Sequence, residues 1–241
     1  MFTRGLVVKL LTSFFINYVM ATEVNICNLA LAHLGDDATI ASLAPPEGSA
    51  QAEKAARFYP IARDTLLAMH TWTFASKRSN LASITNTLSQ WDYAYVAPND
   101  MMSPVAIISP TAQNDYATRM SAGDTPGGIT SNYAPTIVAG QYTPQQFAVE
   151  GIYIYTNQEN AMLRYQARIE DPSAFSELFI ITLSWHLASM LAGPIIKGDQ
   201  GMAEAKRCTQ MMTGYLTTAR QQDNLQRDIS IEHIVPWTSG R

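Results

Sequence analysis

Cysteine is scarce: Cys27 and Cys208 are the only two in 241 residues. They stand far apart, outside any CxxC pair and away from histidine at ligand spacing, so they read as small buried residues of a reducing compartment rather than a disulfide or metal site. Charge is also thin, at 15% of residues, and 16 Lys and Arg against 20 Asp and Glu leave a net charge of -4. No basic footprint exists to neutralise phosphates, which argues against tight general binding of nucleic acid. The chain has no GxGxxG, GxxxxGK[ST], HExxH or GxSxG motif. His33, His70, His186 and His233 fall one per segment, and the carboxylates are equally dispersed, so no acid–base pair stands out. These absences nominate no catalytic residue, no cofactor and no metal, and the chain reads as a protein that is not an enzyme.

What is present is apolar material, 47% of the chain, enough to form a core. Residues 47–78 organise the rest. Ala52, Ala55, Tyr59, Ala62, Leu66 and Met69 recur at spacings of three and four, one stripe of a helix that needs a partner. Pro60 lies inside it and removes one amide donor, which predicts a kink. Arg57, Arg63 and Lys54 are expected on the outer face. After the stripe, Trp72 and Phe74 stand two apart with Thr73 between them, the spacing that sends both rings to one side of a strand.

Residues 1–19 form an extension with two readings. Arg4, Lys9 and the apolar run after them, closing on Val19-Met20-Ala21, resemble a cleavable signal; alternatively Met20 is the start and the extension lies upstream of it. Thr22 suits an N-cap, and a short helix follows to Gly35. From Trp72 to Ile169 the helical period gives way to short β-like pieces at 73–82, 91–96, 105–108, 152–156 and 161–169. The last two read as a hairpin across Asn157 to Asn160. A long polar segment lies between Pro110 and Pro144.

Asp171-Pro172 reads as the opening of the most buried helix, ending near Gly193-Pro194, and its interruptions by Glu177, Ser184 and His186 favour a core helix over a membrane span. The final helix repeats the stripe as Met202, Ala205, Thr209, Met212, Leu216 and Ala219. A tail from Ile229 contains Ile234, Val235, Pro236 and Trp237, a docking candidate. The fold expected is α+β: a bundle of about four helices with a β-rich domain inserted between the second and third. Its divisions are 1–19 for the extension, 20–71 and 170–226 for the helical unit, 72–169 for the insertion and 227–241 for the tail. Ala55, Tyr59, Ala62, Leu66, Met212 and Leu216 are the candidates for helix packing or a subunit interface, and Trp72 and Phe74 for the junction.

The runs ATEVNICNLALAHLG and EGSAQAEKAARFYPIARDTLLAMHTWTFA, together with the helices after Asp171, resemble the tail tubular protein A, or head-to-tail adaptor, family of short-tailed bacteriophages. The likeness is most specific over Ala21 to Ala75 and carries the family's aromatic WxF as Trp72-Thr73-Phe74. It departs from the family before Met20 and between Pro110 and Pro144. The resemblance implies a structural virion protein, assembled in the host cytoplasm as a twelve-subunit ring between the portal protein and the tail nozzle protein. DNA would pass through its lumen without sequence-specific binding, and no membrane would be involved. The rival expectation is a secreted or periplasmic binding protein or hydrolase with a cleaved signal.

Overall fold

Thr22 accepts a hydrogen bond from the amide of Asn25 at 3.1 Å and starts α1, Glu23–His33. The helix closes at Gly35, whose φ of +71° is the left-handed conformation that favours glycine. The computed structural model describes residues 21–110 and 145–226. The extension 1–19, most of the polar segment between Pro110 and Pro144, and the tail with Ile234, Val235, Pro236 and Trp237 lie outside the described residues.

The architecture is α+β, with four α-helices among the described residues and a β domain inserted between the second and third. The helices after α1 are α2 (Ala50–Ala68), α3 (Glu177–Ile196) and α4 (Gly198–Leu225). By its internal contacts the chain divides into two units. One holds the described residues through Arg63 together with Glu170–Leu216, and the other holds the described residues of Asp64–Ile169 and those from Thr217 onward.

In the first unit, α1 packs on α3. Ala52, Ala55, Tyr59 and Ala62 of the α2 stripe are at most 2% exposed. The stripe ends one residue early, because Met69 falls beyond the helix and is 37% exposed. α2 is continuous through Pro60. Arg63, expected on the outer face, is only 6% exposed and lies 3.9 Å from Glu170. Lys54 donates to the carbonyl of Pro194 at 3.3 Å, a cation at the carbonyl end of α3.

Asp171 does not open α3. Its side chain caps a single 3-10 turn, Pro172–Ala174, and Ser176 caps α3 itself by accepting from the amide of Phe179. A proline after a capping residue suits any first turn, so the local signal is real but stops after three residues. At its far end α3 continues through Pro194 to Ile196. It is the one helix among the described residues long and apolar enough to cross a membrane by length and composition, and half of that stretch is buried within the protein itself. On α4 the buried line runs through Cys208, Met212, Leu216 and Ala219 to Asp223, while Met202 is 72% exposed. The first half of the expected stripe is thus one residue out of phase, because Thr209 and Cys208 are both plausible members of a helical apolar row and spacing alone does not choose between them.

Among the described residues of the second unit, seven strands form two antiparallel sheets, with the order β1-β7-β4 in one and β2-β3-β6-β5 in the other. The strands are β1 (Ser76–Asn80), β2 (Ala82–Ile84), β3 (Tyr93–Val96), β4 (Met101–Ile108), β5 (Phe147–Glu150), β6 (Tyr153–Thr156) and β7 (Met162–Ala167). The expected hairpin of β6 with β7 is not formed. β6 pairs with β3 and β5, whereas β7 pairs with β1 and β4. The actual hairpin joins β5 to β6 across Gly151 and Ile152, with Glu150 opposite Tyr153 and Gly151 at a φ of +63°. Glycine at the first position of a two-residue loop matches the twist of the strands, a turn signal that outweighs the polar run after β6. The piece expected at 73–82 splits into β1 and the start of β2, which belong to different sheets.

One core serves both sheets. Tyr95 and Ile154 from the four-stranded sheet cluster with Ile107, Leu163, Tyr165 and Ala167 from the three-stranded one. Full burial of an aliphatic side chain contributes about 1.5–3 kcal/mol, against about 0.5–1.5 kcal/mol for a net hydrogen bond, so each of Ile107, Ile154 and Leu163 contributes more than any single ladder bond. At its rim Asp100 accepts from Lys77 at 2.8 Å and from the Tyr165 hydroxyl at 2.9 Å, tying β1 and β7 to the turn before β4.

Candidate functional site

The chain passes from helix to sheet over residues 69–76. Trp72 and Phe74 do not lie on a strand. Trp72 precedes a 3-10 turn at Thr73–Ala75, and β1 begins only at Ser76. The two rings still meet, 5.8 Å apart and 29° from parallel. Trp72 is fully buried and donates from Nε1 to the carbonyl of Leu66 at 3.1 Å, while His70 meets its ring edge-on at 4.9 Å. An indole buried with its N–H satisfied contributes both packing and orientation.

Asp223, in the last turns of α4, holds this passage. It is 6% exposed, and its carboxylate accepts from the Thr73 amide at 2.9 and 3.1 Å and from His70 Nε2 at 3.3 Å. The hydroxyl of Thr73 donates to the Asp223 carbonyl at 3.3 Å. Arg220, one turn earlier, donates to the carbonyl of Met69, and Arg168, beyond β7, pairs with Asp64 of α2 at 3.2 Å. Every one of these groups belongs to the second unit. Neither Asp223 nor Arg220 is among the residues that spacing singles out. The available signal is that the buried face of α4, followed past Ala219 by one more turn, reaches an acid where an apolar residue is expected.

In the first unit a second polar cluster joins three helices. The rings of His33 and Trp185 stack at 3.6 Å and 7°. Ser184 donates its proton to the Ile181 carbonyl at 2.8 Å, so His33 Nε2 is the donor in the 3.0 Å contact with the Ser184 oxygen. Arg207 sits 5.3 Å from the Trp185 ring centroid, donates to the His33 carbonyl at 3.0 Å and pairs with Glu204. Burial first, and the nearby Arg207 second, lower the His33 pKa below its ordinary 6.5. Burial alone lowers that of His186, both of whose ring nitrogens lack a partner. Burial pushes the Cys27 thiol up to about 12 and also raises Cys208, the behaviour of structural rather than reactive cysteines.

The sequence candidates therefore separate into three sets. Trp72 and Phe74 come together at the junction. Ala55, Tyr59, Ala62, Leu66, Met212 and Leu216 are all buried within the single chain, at 7% exposure or less. Within the chain these six serve intramolecular packing. Ile234, Val235, Pro236 and Trp237 lie outside the described residues, as does His233. Among the described residues no group of three or more His, Cys, Asp or Glu is placed to hold a metal. Comparison with protein-family models matches no family, and comparison with curated proteins finds no match.

Replacing Asp223 with Ala leaves the Thr73 amide without its acceptor and lowers stability by about 1–3 kcal/mol, with Asp223→Asn milder because one carbonyl oxygen remains; urea denaturation measures both. Trp72→Ala, which empties a fully buried site, is expected to cost about 3–5 kcal/mol and so to exceed substitution of any single histidine in the same assay.

Because His33 and His186 have folded-state pKa values below 6.5, the unfolded chain binds more protons below that pH. Their contribution to stability is therefore complete above about pH 6.5 and declines as pH falls below it toward the depressed folded values. Melting temperatures from pH 7.5 to 5 should drop, and His186→Leu should flatten that slope. An unchanged slope in the variant would remove His186 from the account.

Proposed function

We propose that this chain is a head-to-tail adaptor of a short-tailed bacteriophage: a structural, non-enzymatic virion protein whose copies form a ring, twelve by analogy with the family, joining the portal protein to the tail nozzle protein. The observation that carries the reading is the β domain inserted between α2 and α3 of a four-helix protein, the arrangement implied by the resemblance over Ala21 to Ala75 and after Asp171. The WxF segment of that resemblance occupies the passage from helix into sheet, clamped by Asp223. A rigid passage suits an adaptor, which must present one surface to each of two partners.

The net charge of -4 suits a lumen through which DNA moves without being gripped. The partners proposed are further copies of the chain, the portal protein and the nozzle protein, with no membrane and no cofactor. The location proposed is the head-to-tail junction of the virion, after assembly in the host cytoplasm. Residues 229–241, with Ile234, Val235, Pro236 and Trp237, are assigned to portal docking.

Electron microscopy of the purified chain with and without portal protein should show rings that cap the portal. Deleting residues 229–241 should abolish that attachment while leaving the far-ultraviolet circular dichroism of the chain in place. Normal attachment by the truncated protein would remove the tail from the docking role, and an absence of rings on portal would sink the adaptor reading.

A further inference from the structure

The two sheets treat their edges differently. In the three-stranded sheet, β1 carries Lys77 and Arg78, and β4 contains Pro104 and register shifts between Met101 and Ser103 and between Pro104 and Ala106. Charge, proline and bulges are the devices that stop a sheet edge from pairing with another chain. The four-stranded sheet has almost none of them. β2 is Ala82-Ser83-Ile84, and β5 is Phe147-Ala148-Val149-Glu150, whose single charge sits at the strand's end beside the turn.

Alternation along the strands decides which backbone groups are free. The amide of Ala97 donates to the carbonyl of Ile152 at 2.8 Å, one step beyond the β3–β6 ladder and in its register. Tyr93 and Tyr95 therefore bond β6, and Ala94 and Val96 bond β2 through Ile84 and Ala82. Ser83 is left with its N–H and C=O pointing away from the sheet. By the same alternation Tyr153 and Tyr155 bond Glu150 and Ala148, which leaves Phe147 and Val149 pointing outward from β5.

Ser83 and Val149 also share one row, since Ser83 faces Tyr95, Tyr95 faces Ile154 and Ile154 faces Val149. Both are exposed. Because the sheet has four antiparallel strands, its two outer strands run in opposite directions. A second copy set beside the first in the same orientation thus offers a β2 that is antiparallel to the first copy's β5.

We propose that β2 of one copy pairs with β5 of the next, with Ser83 and Val149 exchanging backbone hydrogen bonds, so that the four-stranded sheets join into a continuous band. This deepens the ring reading above and rests on it. The occupant of each edge is another copy of this chain because, among the described residues, no further strand pairs with either edge, and the two edges match each other in row, direction and lack of charge, proline or bulge. A contact between two different surfaces of one subunit is also the kind that generates a ring. Ile84 and Val149, each 37% exposed, lie in the strands that such pairing covers.

The test is a full-length chain carrying Ser83→Cys and Val149→Cys, incubated with portal protein and mildly oxidised. A hydrogen-bonded antiparallel pair sets the Cα atoms about 5.5 Å apart, within the span of a disulfide. Non-reducing gels should show dimers and higher species for the double variant and monomer for either single variant; Cys27 and Cys208 are both fully buried and add no background. In parallel, Val149→Pro removes one outward N–H without touching the β5–β6 bonds, and should keep the circular dichroism and melting temperature of the parent while losing rings in micrographs. Rings that form with neither cross-linking nor sensitivity to Val149→Pro overturn the strand pairing and leave the adaptor reading standing. If the parent chain forms no ring with portal, both fall. Should Val149→Pro misfold, the cross-link alone decides.

Discussion

A carboxylate at Asp223, 6% exposed, is tolerable only because donors surround it. Those donors are the Thr73 amide and the His70 ring, supplied from a segment about 150 residues away in the chain. The dependence runs both ways. The Thr73 amide opens a 3-10 turn and has no helical acceptor of its own, so without Asp223 a part-buried donor is left unpaired. With the backbone held there, the Trp72 indole reaches the Leu66 carbonyl, Phe74 lies against its ring, and the chain leaves the turn aligned to become β1.

This constraint concerns direction as much as stability. The β domain has its own core, shared by both sheets, which no helix residue is needed to complete. What the core does not specify is how the first strand leaves α2. Asp223, Arg220 and the Arg168–Asp64 pair supply that information from α4, from the far side of β7 and from α2 itself.

Much of the helical framework was legible. Thr22 and Gly35 bound α1 as capping chemistry dictates, and the stripe from Ala52 to Leu66 is buried because a 3.6-residue period admits one apolar face and little else. The four helices and the position of the insertion follow from the same periodicity. Sheet pairing was not legible. Ile152 to Thr156 and Ala161 to Ile169 look like partners because they are neighbours in the chain, yet Leu163 and Ile154 contribute to one core from different sheets. Alternation tells which side of a strand is apolar but not which strand lies beside it.

What the sequence by itself determined about this protein is therefore local: where helices start, which of their faces are buried, and where periodicity passes from 3.6 to 2. These follow from steric and capping preferences that act within a few residues. Only the tertiary structure decided the rest. It placed an acid from the end of α4 beneath the amide of Thr73, set Trp72 in a turn rather than on a strand, buried Arg63, and sorted the strands into two sheets. Each of those outcomes depends on groups far apart in the chain meeting at hydrogen-bond or van der Waals distance, and no spacing along the sequence encodes which distant group arrives.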